Sequence, residues 1–288
     1  MIILTILLIL VLGIPLAFTS LTYAFWLYER GKEPNWDRRF YEVSPRGVFN
    51  FLAEYLATLA LGFLGVGDVF WTAWKALRRL REAQLERFPG LGLRGERSPR
   101  PVILIHGYRV RGLTMGLLAW RLRRSGRAIR MPTFGSVRAP IEDYVTALAR
   151  VIRETLQETG AEEVDLVGHS MGGLVARAYL SRGEVRVARL ITLGAPHLGS
   201  PFWVFTWGAC GREMRPESEF LRALRSQPLS PGLRAFALYS DFDALVPPTS
   251  ASGWEGPGVE RVLLSGVGHM GLVMRSGAAK AVLQALEG

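Results

Sequence analysis

Apolar and polar positions are distributed unevenly along the 288 residues. The first 28 carry no charged side chain, and Ile2–Leu12 is almost purely aliphatic. The apolar character continues to Leu27, and at about 1.5 Å per helical residue the whole stretch covers a hydrocarbon core of about 30 Å. Trp26 and Tyr28 would then sit at the interface, just ahead of Arg30 and Lys32. The pattern predicts a transmembrane anchor over residues 1–28. The lack of a basic leader and of a small-residue cleavage site argues against a removed signal peptide. Residues 48–67 form a second apolar stretch, broken by Asn50 and Glu54. It reads as a second span or as a helix lying in the interface. Glu54 would cost about 2.5–3.5 kcal/mol at a helix centre and much less near an end, where it falls here. From Asp68, a helix cap, to Phe88, apolar Phe70, Trp74, Leu77, Leu80 and Leu85 alternate with basic Lys75, Arg78, Arg79 and Arg81. That pattern suits a helix resting on a membrane, or one docked on the rest of the chain. Residues 89–101, rich in Gly, Pro and Arg, read as a linker.

From Pro101 onward short apolar runs alternate with amphipathic ones. Strands are expected at 102–105, 128–131, 164–167, 187–193, 233–240 and 259–264. Helices are expected at 113–124, 141–159 (ended by Gly160), 171–180 and 270–286. This alternation predicts an α/β fold, a mostly parallel sheet with helices on both faces, preceded by N-terminal membrane-associated helices. Residues 197–231 break the rhythm with Phe202, Trp203, Phe205 and Trp207 and a short helix near 217–224. They read as a lid-like insertion or as a satellite core under a long connection. The expected organisation is thus an anchor at 1–28, a membrane-associated helical region with linker at 29–100, and a catalytic domain at 101–288.

One junction carries chemistry. The apolar run Val164–Val167 ends at Gly168-His169-Ser170-Met171-Gly172, and a helical pattern follows. G-x-S-x-G between strand and helix is a tight turn that holds its serine in a strained conformation, so its flanking positions must be small. The Met171 N–H then lies at a helix N-terminus, where an oxyanion is favoured. Tyr108, which follows His106-Gly107 after the first strand, offers a second backbone donor for the same anion. A serine hydroxyl needs a base, and the base needs an orienting acid. In the order Ser, acid, His, only His197 and His269 follow Ser170, and His197 precedes every plausible acid. His269 is therefore the expected base. Asp241 and Asp243 both follow the strand at 233–240. Asp243 is preferred because Ala-Leu-Val-Pro carries the loop back, leaving Asp241 to order that loop. His106 is read as a structural histidine.

Charge changes the picture modestly. The net charge of +10 rests almost wholly on arginine, a bias of GC-rich bacterial genomes, with Lys32, Lys75 and Lys280 as the three lysines. No nucleic-acid motif accompanies it, so attraction to anionic lipid is the better reading. A single cysteine, Cys210, excludes an internal disulfide and a cysteine-rich zinc site. The basic residues that follow the first span favour a cytoplasmic catalytic domain, and a second span would weaken that preference.

Pro101–Tyr108, Gly168–Gly173, Leu193-Gly-Ala-Pro-His-Leu-Gly-Ser200, Asp243-Ala-Leu-Val-Pro247 and Gly268-His269 together resemble the bacterial triacylglycerol lipase and esterase branch of the α/β-hydrolase superfamily. The Gly-Ala-Pro-His-Leu-Gly stretch is also similar to a segment of inositol-deacylase-like hydrolases. The resemblance covers residues 101–288. It implies Ser170, Asp243 and His269 as the triad, Met171 and Tyr108 as oxyanion donors, no metal and no cofactor. The expected activity is cleavage of a lipid or other acyl ester at a bacterial inner membrane. Acyl transfer or thioester cleavage would use the same residues, and a non-catalytic membrane scaffold is the alternative outside catalysis. Oligomeric state and acyl-chain length are left open.

Overall fold

The computed structural model describes residues 12–30, 48–49, 51–56, 58–59, 100–110, 112–134, 138–182, 186–230, 232–251 and 253–287. The chain divides into two compact units, Met1–Gly92 and Leu93–Gly288. In the first unit, helix α1 (Ile14–Arg30) has 17 residues. A further helical segment covers residues 51–56. Tyr23 meets Phe51 edge-on at 5.2 Å, and the Tyr55 hydroxyl donates to the Leu12 carbonyl. Ile14, Leu16, Phe18, Leu21, Leu52 and Leu56 are exposed. No helix among the described residues is long and apolar enough to cross a membrane. The rest of the expected anchor (residues 1–11), the end of the second stretch (60–67), the helix at 68–88 and the linker up to residue 99 lie outside the described residues.

The second unit is built on six parallel strands: β1 (Val102–Ile105), β2 (Ile129–Arg130), β3 (Val164–His169), β4 (Val187–Leu193), β5 (Arg234–Tyr239) and β6 (Val259–Leu263). Their order is β2-β1-β3-β4-β5-β6, so the chain starts inside the sheet and its outward course reverses beside β1. In such a sheet, sites form at the carboxyl ends of strands near a reversal. Every side chain of β1 and β3 is buried, as expected for a strand covered on both faces. The helices are α2 (Gly116–Arg124), α3 (Ile141–Thr159) and α4 (Met171–Leu180), followed by α5 (Gly208–Glu213), α6 (Glu219–Arg225), α7 (Pro248–Ala251), α8 (Gly271–Met274) and α9 (Ser276–Glu287).

Helix α3 shows how the pattern produces packing. Ile141, Tyr144, Val145, Leu148, Ile152 and Leu156 recur at helical spacing and are buried in one cluster with Val164 and Leu174. Each such side chain contributes about 1.5–3 kcal/mol of burial. Glu142 and Asp143 favour the positive end, and Gly160 ends the helix at φ 68°, its N–H on the Leu156 carbonyl.

At the amino end of β3, Asp165 is fully buried. Arg100, Arg127 and Arg189 stand 3.6, 3.8 and 3.8 Å from its oxygens. Burial pushes its carboxyl up to about 6, with Arg100 and Arg127 pulling in the opposite direction.

Two sequence expectations need correction. The expected helix 113–124 opens with a 3-10 turn, Gly112–Met115, before α2. The expected helix 270–286 is two helices, separated by Arg275 in extended conformation. The break occurs where the Met274 carbonyl accepts from Arg121 and the Arg275 guanidinium reaches the Gly266 carbonyl at 3.3 Å.

The segment between β4 and β5 contains a 3-10 turn, Pro201–Phe205, then α5 and α6. It is fixed to the sheet domain. Gly199, at φ 95°, has the Pro216 nitrogen 2.5 Å from where a Cβ would lie. The Glu213 carboxylate accepts from the Ile141 N–H at 2.7 Å, capping α3. Cys210 is buried beside Tyr144, and burial pushes its thiol up to about 11.

Candidate active site

The turn after β3 has the geometry its composition demands. Ser170 sits at φ 55° and ψ −127°, a region that costs a non-glycine residue on the order of 1–3 kcal/mol. Its backbone is held at both ends: its N–H donates to the Leu193 carbonyl at 2.9 Å, and its carbonyl accepts from Gly173 at 2.9 Å. Three glycines make this possible. A Cβ on Gly168 would lie 2.5 Å from the Gly172 carbonyl oxygen. One on Gly172 would lie 2.4 Å from the Ile105 oxygen, and one on Gly173 would lie 2.6 Å from the Ala195 Cβ. Strand β1, β3 and α4 therefore approach backbone to backbone at the serine. Met171 opens α4, so its N–H is among the unpaired donors of that helix end. The turn after β1 lies against the same point, since a Cβ on Gly107 would stand 3.1 Å from the Ser170 Cβ. Tyr108 follows it directly.

Beyond the ends of β5 and β6, His269 Nδ1 donates to Asp243 Oδ2 at 2.7 Å, with both side chains buried. The other Asp243 oxygen accepts from the N–H groups of Leu245 (2.9 Å) and Val246 (2.8 Å). The carboxylate is therefore fully oriented, and in the Nδ1–H tautomer Nε2 is the basic nitrogen of the His269 ring. Asp241 takes the other role. It accepts from the Gly266 N–H at 2.7 Å and the Ser265 hydroxyl at 2.8 Å, holding the loop that carries His269.

His106 and His197 are each engaged at both ring nitrogens. His106 Nε2 accepts from the Phe134 N–H at 3.1 Å, which leaves Nδ1–H for the Gly107 carbonyl at 3.0 Å. His197 Nδ1 faces Arg177 at 3.4 Å and Nε2 bonds Thr192 at 3.1 Å, with the Trp254 ring tilted against it at 5.0 Å. Burial, then Arg177, hold His197 well below the usual histidine range.

Two contributors were not singled out from the sequence. His169 Nε2 donates to the His269 carbonyl at 3.1 Å, tying the residue before Ser170 to the backbone of the expected base. Burial, then neighbouring His269, keep it well below the usual range and so neutral. Gly194, at φ 55°, leaves room for the pair, because a Cβ there would lie 2.8 Å from Asp243 Oδ2. The glycine after a strand was visible in the sequence, but the residue it makes room for was not. Finally, the Tyr108 hydroxyl donates to the Trp207 carbonyl at 2.9 Å and accepts from the Trp207 N–H at 2.7 Å, joining the expected oxyanion loop to the insertion. Among the described residues, no cluster of His, Cys, Asp and Glu is arranged to hold a metal.

A family model described as alpha/beta hydrolase fold matches residues 125–216. Two triacylglycerol lipases, from Pseudarthrobacter phenanthrenivorans and Burkholderia plantarii, are each 42% identical over 55 residues. That match covers 19% of this chain and only 17% and 15% of those lipases. Among solved structures, mature Bacillus licheniformis lipase BlEst2 superposes with a TM-score of 0.58 at 17% identity, over 67% of this chain and 93% of that one. The shared feature at that distance is the fold.

Proposed function

We propose that this chain, an α/β hydrolase in fold, is a membrane-attached serine hydrolase of lipid or other acyl esters. The observation that carries the reading is the buried Asp243–His269 pair, 2.7 Å apart, on the same sheet edge as a serine held at φ 55°. The likeness to triacylglycerol lipases supports the substrate class.

In this mechanism His269 Nε2 takes the Ser170 proton as Oγ attacks the ester carbonyl. The N–H groups of Met171 and Tyr108 receive the oxyanion. Asp243 holds the imidazole in the tautomer that can accept a proton and stabilises the imidazolium. His269 then protonates the departing alcohol, and water, activated by the same nitrogen, releases the acid. An alcohol in place of that water would make the enzyme an acyltransferase, and a thiol leaving group would make it a thioesterase. Replacing Ser170 with Ala should reduce hydrolysis of p-nitrophenyl esters by several orders of magnitude and abolish labelling by a fluorophosphonate. Hydrolysis within about tenfold of wild type would reject the mechanism.

Membrane attachment rests on the exposed apolar residues of α1 and of residues 52–56, and on the uncharged run 1–28. The full chain should stay with membranes through high-salt and carbonate washes. Release by salt alone would show a surface-held protein and remove the anchor from the proposal.

A further inference from the structure

The segment between β4 and β5 carries an open pocket of about 600 Å³, walled by Trp203, Arg212, Arg215, Arg222 and the turn 216–219. Its charged lining is three arginines, Arg212, Arg215 and Arg222, against two carboxylates, Glu217 and Glu219. Glu217, at φ 61°, gives both carboxylate oxygens to Arg225 at 2.8 Å. Its carboxylate is committed to Arg225, with Arg222 also within its field. Arg212 and Arg222 close no ion pair among the described residues, and Arg215 stacks over the Trp203 ring at 5.2 Å. Glu219 is the one remaining carboxylate in the wall. Guanidiniums gathered around one cavity offer several donors to a single bound anion. Their planar fork of donors matches phosphate oxygens.

The same segment exposes apolar side chains beside the pocket. Val204, Phe205 and Trp207 are 58%, 54% and 70% exposed. Aromatic tips next to arginines suit a phospholipid surface, where rings settle at head-group level and guanidiniums meet phosphate.

We propose that this pocket binds the phosphate of an anionic glycerophospholipid head group, seating the insertion on lipid. Trp203 and Pro216 supply the apolar wall against which the glycerol carbons rest. The site is separate from Ser170 and does not depend on ester hydrolysis.

The test uses the full chain and glycerophosphoglycerol, the water-soluble deacylated head group of phosphatidylglycerol, in phosphorus-NMR titrations. This probe has no acyl ester, so its binding is independent of the hydrolase reading. Saturable binding is expected. It should weaken at least tenfold in Arg212→Gln/Arg215→Gln/Arg222→Gln and fall with added salt. Inorganic phosphate should bind more weakly, having no carbons for the apolar wall. If the triple variant fails to fold, Arg222→Glu alone, at an exposed position, should give the same direction of change. Unchanged affinity in a folded variant would overturn the proposal. So would inorganic phosphate binding as tightly as the head group, which would mark a site for free anion.

Discussion

Asp243 and Asp241 lie two positions apart, yet their oxygens serve different ends. Asp243 Oδ2 meets the imidazole of His269, while both Asp241 oxygens are spent on Ser265 and Gly266. Asp243→Asn would replace an acceptor with an amide and disfavour the Nδ1–H tautomer of His269. By analogy with the known effect of such a change in a serine protease, kcat should fall by about 10⁴-fold. Asp241→Asn should cost less than about tenfold, because loop order survives through Ser240, whose hydroxyl accepts from the N–H groups of Phe242 and Val267. Ester kinetics on the two variants decide the matter, and the reverse ranking would reassign the acid.

Strand β3 has two ends with different duties. Its carboxyl end delivers Ser170, and its amino end buries Asp165 among arginines. Moving from 3.8 to about 6 means that Asp165 holds a proton more tightly folded than unfolded. Its contribution to stability is therefore present in full below about pH 3.8 and is lost as pH rises through about 6. A shift of that size corresponds to roughly 3 kcal/mol. Asp165→Asn, fixed in the neutral state, should gain stability relative to wild type by up to that amount between pH 4 and 7. Denaturant unfolding at both pH values measures it, and a constant difference would show that the arginines fully offset burial. The same strand shows what the sequence reveals. Val164–Val167 announced a buried strand and the glycines after it announced the turn, because composition there is dictated by local geometry. His269 was expected from its order along the chain, and Asp243 was preferred to Asp241 for the Ala-Leu-Val-Pro that follows it. The pairing His169–His269 was not legible, since it joins residues 100 positions apart through a backbone carbonyl. Nor was the break at Arg275, where the apolar period runs on across an extended residue whose neighbours are fixed by distant Arg121 and Gly266.

Across the whole second unit, the insertion is fixed to the sheet domain at several separate points. Glu213 holds the start of α3, Arg177 of α4 donates to the Leu224 carbonyl at 3.0 Å, and Trp207 is paired with Tyr108. Repositioning Trp207 thus requires either breaking two hydrogen bonds to Tyr108 or moving Tyr108, itself an expected oxyanion donor. Cys210 lies within this framework, completely buried, and it is the single thiol of the chain. The molecule consequently carries a built-in clock. A maleimide added to the native protein has one possible target, and it can react only when α5 lifts away from Tyr144. The alkylation rate divided by that of the unfolded chain gives the fraction of time the helix is open. A ratio below about 10⁻³ is expected if the insertion opens only with the core. A ratio near one-tenth would instead describe an element that detaches on its own.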